Sequence, residues 1–342
     1  MDKDLKNRTL SALTDFVKAR GGQAYWARYL FSFIHTKRVS DIQAISPLPK
    51  AFRQALIDDG FFISQLAVVD TFTDPDGTVK LLFTEGTGRR WEAVRLMDKA
   101  RYTLCISSQV GCRMGCRFCA TGRMSFAGDL TAAQIVDQVY CASANGESLH
   151  NVVFMGMGEP LDNLDAVLQA INILNDPEGL DLGQRHMTVS TCGLPSGIQQ
   201  FADSDLQVRL AISLHSTDDV LRAKLMPISR RFDLQTVLDA VYHYQKKTGR
   251  RVTFEYCLLK DVNDSVDQAQ ALIQCIHGFR AHVNLIEFND FPGSTFMPSE
   301  KETIETFAGT LRRAGIETVV RFRRGRSIQA ACGQLGADGL CK

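Results

Sequence analysis

The chain has 342 residues, 45% hydrophobic and 23% charged, with 39 Lys and Arg against 38 Asp and Glu for a formal net charge of +1. This composition fits a large globular domain with an accessory piece and excludes a strongly charged disordered chain; no apolar run approaches the roughly 18 residues that cross a bilayer. The start MDKDLKNRTL lacks the apolar centre of an export signal, and ten cysteines without a paired framework suit a reducing compartment, so a cytoplasmic protein with no membrane partner is expected.

Residues 8 to 60 place Leu10, Leu13, Phe16 and Val17, then Tyr25, Tyr29, Leu30 and Phe33, at helical spacing, which predicts a small helical accessory domain over 1–62. Segments 79–84 and 90–96 read as two strands across the turn-rich EGTGR, with the turn signal DPDG before them, so 63–98 is predicted as a β-hairpin linker. From residue 99 strands and helices alternate. The predicted strands are 103–108, 152–155, 187–190, 208–214, 252–258, 283–288 and 318–322. Helices 131–142 and 299–314 open with the capping-box patterns TAAQ and SEKE. Such alternation up to residue 325 predicts an α/β fold, a partial (βα)6-type barrel, with 326–342 left as a C-terminal tail.

The run GCRMGCRFCATG sets Cys112, Cys116 and Cys119 in the spacing CxxxCxxC directly after the first barrel strand. Three thiolates hold three corners of a cubane iron–sulfur cluster, and no fourth cysteine follows closely enough to complete the set. The fourth iron is then open to a small molecule that binds through its amine and carboxylate. A zinc site would need further ligands at ribbon or finger spacing, which the sequence lacks; buried structural thiols are the other alternative.

Polar motifs recur at the ends of the other strands: Gly158 and Glu159 in GMGEP, Ser190 in STCG, Ser213, Leu214 and His215 in SLH, and Asn289 after HVNLIEF. The carboxyl ends of barrel strands form one face, so these positions are predicted to converge on one mouth. The glycines would let backbone lie close to a ligand, and Glu159 can accept from an ammonium group. Each has a structural alternative: a turn for GMGEP, a core histidine for His215, a loop cap for Asn289. Arginines cluster at 230–231, 250–251 and 321–326, a pattern that serves either a solvated face or RNA phosphates.

The motifs TLCISSQVGCRMGCRFCATG, NVVFMGMGEPLDN, STCG, LAISLHS and QAACGQL span most of the chain. Together they resemble the radical S-adenosylmethionine RNA methyltransferases that modify adenine at carbon 2 or carbon 8. The resemblance implies a [4Fe–4S] cluster on Cys112, Cys116 and Cys119. It also implies two S-adenosylmethionine molecules per turnover, with contacts from Gly158, Glu159, Ser190, Ser213, Leu214, His215 and Asn289. It assigns Cys332, in QAACGQL, as the thiol that becomes S-methylcysteine, Cys105 as the resolving thiol of a transient disulfide with Cys332, and Glu92 as the proton acceptor. Without the resemblance, Glu92 reads as a surface strand carboxylate. The implied partners are RNA, chiefly 23S ribosomal RNA with transfer RNA second, and a reductant such as flavodoxin or ferredoxin, with the chain acting as a monomer. The helical domain and the arginine-rich tail would meet the RNA.

The chain departs from the family pattern in three places. It reads RGRSIQAACGQL where RGDDIDAACGQL is usual, with Arg326, Ser327 and Gln329 at changed positions; IEFNDFPG replaces a WNP-type segment; and STCG replaces STSG. These changes are expected where substrate approaches. Cys141, Cys192, Cys257, Cys275 and Cys341 match no catalytic position and are expected to be core or surface thiols. Two rival readings stand beside the methyltransferase: a radical enzyme for a different substrate, with Cys332 incidental, and a noncatalytic zinc-bound RNA-binding protein.

Overall fold

The computed structural model describes residues 2–86, 88–98, 101–143, 149–321 and 323–339. The amino-terminal segment forms helices α1 (Leu10–Ala19), α2 (Tyr25–His35) and α3 (Lys50–Asp58). Thr9 caps α1 by accepting from the Ala12 N–H; of the positions that the spacing marked, Leu13, Phe16, Val17, Leu30 and Phe33 are buried, whereas Tyr25 and Tyr29 are exposed and Phe31 and Ile34 complete the buried face of α2. The module is fixed to the main body by a buried ion pair: Lys6 Nζ lies 2.8 Å from Asp137 Oδ1.

Three antiparallel strands follow, β1 (Ala67–Thr73), β2 (Val79–Thr84) and β3 (Arg90–Asp98). The predicted hairpin is β2 and β3. Strand β1 was not anticipated, because AVVDTFT is almost wholly exposed and its side chains carry no burial alternation. Nor does this unit stand apart: β3 pairs antiparallel with β4 (Arg101–Cys105), so it continues the barrel sheet.

A two-residue ladder, β5 (Gln109–Val110) with β6 (Gly128–Asp129), pinches off the cysteine loop. The chain then alternates: α4 (Ala132–Ala142), β7 (Leu149–Phe154), α5 (Leu164–Asn175), β8 (Met187–Thr191), α6 (Pro195–Asp203), β9 (Arg209–Ser213), α7 (Asp219–Leu225), α8 (Leu234–Thr248), β10 (Val252–Leu258), α9 (Val266–Cys275), β11 (Ala281–Glu287), α10 (Lys301–Arg313) and β12 (Thr318–Arg321). The sheet order is β1-β2-β3-β4-β7-β8-β9-β10-β11-β12, parallel from β4 onward. The order never reverses, and right-handed crossovers that all run one way put every helix on one face; the sheet therefore curls into a partial barrel. The seven parallel strands are the seven predicted, with ends shifted by a few residues; Phe322, the predicted end of the last, lies outside the described residues.

The TAAQ capping box forms on Thr131 and Gln134, but SEKE does not. Ser299 Oγ donates instead to Asp264 Oδ2 at 2.7 Å, and Glu300 occupies the cap position without a side-chain bond. Along the strands the period of two decides what faces the barrel interior. Leu210 and Ile212, or Phe254 and Tyr256, are buried in the hydrophobic core. Their neighbours Arg209 and Ser213, or Glu255 and Cys257, line the interior. Among the described residues no helix is long and apolar enough to cross a membrane.

Candidate active site

The interior opens as a cavity of about 660 Å³ lined by Cys112, Cys116 and Cys119 from the loop after β4 and by Cys332 from the tail. Its wall includes Gly158, Glu159, Ser190, Ser213, His215 and Asn289. Thus the predicted strand-end positions converge, with one exception. The Leu214 side chain is fully buried in the apolar core, and its carbonyl accepts from Arg222 Nε at 3.2 Å.

The cysteine loop is held from two sides. Its backbone is bonded through Arg117 N–H to the Leu225 carbonyl (2.9 Å) at the end of α7, and through Ala120 N–H to the Gly333 carbonyl (2.7 Å) in the tail. A Cβ at Gly122 would stand 2.6 Å from the Cys116 carbonyl oxygen, so only glycine lets the loop fold onto itself there. Burial pushes the thiols up, Cys112 to about 12, and Cys116 and Cys119 share the cause. Bare thiolates are therefore costly here, and a bound metal group is what would offset that cost. Among the described residues no three His, Cys, Asp or Glu side chains converge as on a single metal ion. A cubane asks for something else, since each cysteine takes a different iron and the sulfurs stand apart. The donor set, three thiols of one loop lining one cavity, fits such a cluster. When bound, the cluster with S-adenosylmethionine on its open iron would supply one-electron chemistry.

GMGEP lines the cavity through Gly158 and Glu159 and also joins neighbouring loops. Gly158 (φ +100°) would bring a Cβ within 2.5 Å of Gln109 Cβ, and Gly156 within 2.7 Å of the Ile106 carbonyl. These glycines therefore permit close packing of two loops, with Ser108 and Gln109 N–H both donating to the Met157 carbonyl. Glu159 is buried and tied down: Oε1 accepts from Leu161 N–H (3.1 Å) and Oε2 from Cys192 N–H (2.8 Å). It joins the loop after β7 to the loop after β8.

His215 sits at φ +57° with its ring edge-on to Phe118, centroids 4.6 Å apart. Its Nδ1 accepts from Cys257 N–H at 2.9 Å, so the proton of the neutral ring is on Nε2. Burial, with Arg222 nearby, lowers its pKa to about 3. His215 is therefore a neutral Nε2–H donor. Asn289 Nδ2 donates to the Cys332 carbonyl (3.1 Å), while its buried Oδ1 has no hydrogen-bond partner among the described residues.

Cys332 exposes its side chain to the cavity, yet protein surrounds it; burial first, then the Glu255 charge, pushes its thiol up to about 11. Cys105, at the end of β4, is pushed to about 12 by burial and by Cys332, which puts the two thiols within electrostatic reach. Both are free. Glu92 does not line the cavity. It is fully buried on β3, with Oε2 accepting from Gly336 N–H at 2.8 Å and Oε1 3.1 Å from Lys80 Nζ. Burial raises its pKa and Lys80 opposes that.

Several residues of the site carry no sequence signal. Arg222 is 1% exposed and donates to the Cys192 carbonyl (2.8 Å) and Ser229 Oγ (2.7 Å), a buried cation behind the cysteine loop. Glu255 is buried, with Oε1 held by Asn284 Nδ2 at 2.8 Å. Cys192 and Cys257, expected as plain core or surface thiols, are buried in the cavity wall; Cys341 lies outside the described residues. The altered tail residue Ser327 faces Asp74, not the cavity.

Residues 106–273 match the Radical SAM superfamily model. The chain is 43% identical over 318 residues, 92% of this chain and 89% of the relative, to a protein named probable dual-specificity RNA methyltransferase RlmN from Thermus thermophilus. It is 41% identical to a protein of the same name from Clostridium perfringens, covering 97% of this chain and 96% of that one. A crystal structure of a radical SAM methyltransferase from Sphaerobacter thermophilus superposes with a TM-score of 0.90 at 40% identity, over 98% of this chain and 100% of that one. The chain belongs to the family of the dual-specificity RNA methyltransferases RlmN, within the radical SAM superfamily.

Proposed function

We propose that the protein is an RNA methyltransferase that acts by a radical S-adenosylmethionine mechanism on adenine at carbon 2 or carbon 8. Large-subunit ribosomal RNA is the main substrate in this reading, with transfer RNA second. The observation that carries it is the meeting of Cys332, from the far end of the chain, with Cys112, Cys116 and Cys119 in one cavity. A radical enzyme for another substrate needs the three cysteines and gives Cys332 no reason to be there. Carbons 2 and 8 of adenine are electron-poor and do not attack a sulfonium methyl, so a carrier thiol beside a radical source is what the chemistry requires.

In this reading Cys332 receives a methyl group as a nucleophile and delivers its carbon to the base. Gly158, Glu159, Ser190, Ser213, His215 and Asn289 contact S-adenosylmethionine, with His215 giving an Nε2–H donor and Asn289 an open acceptor. Leu214, whose N–H and carbonyl are both taken up within the protein, supports the site from behind through Glu255 and Arg222. Glu92 takes the proton lost from the base, and Cys105 attacks the Cys332 sulfur to free the product, leaving a disulfide that a thiol reductant reopens. Two S-adenosylmethionine molecules are used per turnover, and a flavodoxin or ferredoxin supplies the electron. The protein works in the cytoplasm as a monomer, with 1–62 and the arginines of 321–326 on the RNA.

The test is nucleoside mass spectrometry of RNA from a deletion strain complemented with wild type or Cys332→Ala. Wild type should restore 2-methyl- or 8-methyladenosine, and C332A should restore neither. Full restoration by C332A would overturn the carrier role, and no change on deletion would overturn the product.

A further inference from the structure

Besides its bonds to the cysteine loop and to Asn289 and Asp290, the stretch that carries Cys332 is gripped at two points on the β1–β3 sheet. On the upstream side, the DPDG turn binds it: Gly325 N–H donates to Asp76 Oδ2 (2.9 Å), and Ser327 donates from both N–H (2.8 Å) and Oγ (2.6 Å) to Asp74 Oδ2. On the downstream side, Gly336 N–H donates to Glu92 Oε2 (2.8 Å), and Lys80 Nζ lies 2.5 Å from Asp338 Oδ2 and 3.1 Å from Glu92 Oε1. Cys332 sits between the two grips. Lys80 is only 2% exposed, with its ammonium 5.1 Å from the centre of the Phe72 ring.

We propose that Lys80 is a positioning residue for the methyl-carrying tail: by bridging Glu92 and Asp338 it seats the loop that holds Cys332 and keeps Glu92 anionic. The groups that face the Glu92 carboxylate are Lys80 from β2 and Gly336 N–H and Asp338 from the tail. Without the ammonium, the fully buried Glu92 carboxylate faces the partly exposed Asp338 carboxylate, and a buried charge such as Glu92 that loses its cation is strongly unfavourable. The tail must then lift, or Glu92 must take up a proton and weaken its bond to Gly336. Either way the downstream grip opens while the Asp74 and Asp76 grip persists. This geometry also explains why Glu92 stands outside the cavity wall: the carboxylate that would take the proton also holds the carrier in register.

The seating half stands without any assumption about the reaction; the chemical half rests on the methyl-carrier reading of Cys332. The experiment is hydrogen exchange by mass spectrometry on the full chain, without RNA or S-adenosylmethionine, comparing wild type with Lys80→Met, Lys80→Arg and Asp338→Asn. Amides of 333–339 should exchange about tenfold or more faster in K80M, the equivalent of one charge-assisted hydrogen bond, with 325–327 unchanged. K80R should restore protection, and D338N should lose part of it; D338N keeps the seat testable if K80M does not fold. Unchanged exchange of 333–339 in the folded variants overturns the seat.

A second readout follows the pH profile of RNA adduct resolution. Glu92 acts as its anion, and loss of the neighbouring cation makes it hold a proton more tightly, so the acidic limb should move to higher pH in K80M. A limb that stays in place overturns the anionic-Glu92 half. Failure of the wild type to methylate RNA would sink the carrier reading and leave the exchange result standing.

Discussion

At the scale of single residues, neighbours decide what each side chain can do. His215 has Nδ1 engaged by Cys257 N–H and a pKa near 3, so it is neutral with its proton on Nε2 throughout the physiological range. We predict that S-adenosylmethionine affinity, measured anaerobically by calorimetry, shows no histidine step between about pH 5.5 and 8. A step that vanished in His215→Asn would refute the neutral donor. Gly158 is a second case, since its φ of +100° and the 2.5 Å approach to Gln109 leave no room for a side chain. Gly158→Ala should cost about 1–3 kcal/mol, read as a lowered urea midpoint. The motif GMGEP was legible, but the packing of Gly158 on Gln109 was not, because a strand-end glycine shows in sequence nothing of the loop it packs against.

At the scale of elements, the cysteine loop shows how much packing a motif needs. Spacing alone gives three thiols. Their enclosure comes from α7 through Leu225 and Arg222, and from the tail through Gly333 and Leu335, whose carbonyl accepts from Thr121 Oγ1 at 2.7 Å. Cys116→Ser should abolish iron loading and the visible absorbance of anaerobically reconstituted protein while circular dichroism stays native, because helices and strands do not depend on that thiol. Strand β1 escaped sequence reasoning because its residues are exposed and carry no burial pattern, and SEKE misled because Ser299 bonds Asp264 in place of its own helix. In both cases a tertiary partner replaces the local signal.

Across the whole molecule, buried charge ties the parts together. Lys6 and Asp137, both almost fully buried, join the amino-terminal module to α4, and Lys6→Met should destabilise the protein by about 3–5 kcal/mol by leaving Asp137 unpaired. Comparison of urea midpoints with the double variant Lys6→Met/Asp137→Leu, expected to recover much of the loss, checks it. Acid sensitivity follows from His35 and His215, whose pKa values drop from 6.5 to about 3 on folding. Below about pH 6.5 the unfolded chain binds more protons than the folded one, so stability falls with pH by up to about 1.4 kcal/mol per unit for each histidine, until the folded pKa is reached. Urea titrations at pH 7 and 5.5 read this directly.

What the sequence by itself determined is whatever is written locally: the alternation of strand and helix that makes a partial barrel, the cysteine spacing, and the polar residues at strand ends that share one face because parallel strands point the same way. Only the tertiary structure decided which distant groups meet. It joined the β1–β3 unit to the barrel sheet, turned an expected linker into the grip on the Cys332 tail, placed Glu92 against Gly336 outside the cavity wall, and buried Arg222 and Glu255 where no motif marks them. The physical reason is that backbone periodicity acts over a few residues and leaves a pattern, whereas a part-buried ion pair such as Lys80 with Asp338 links positions 258 residues apart and leaves none.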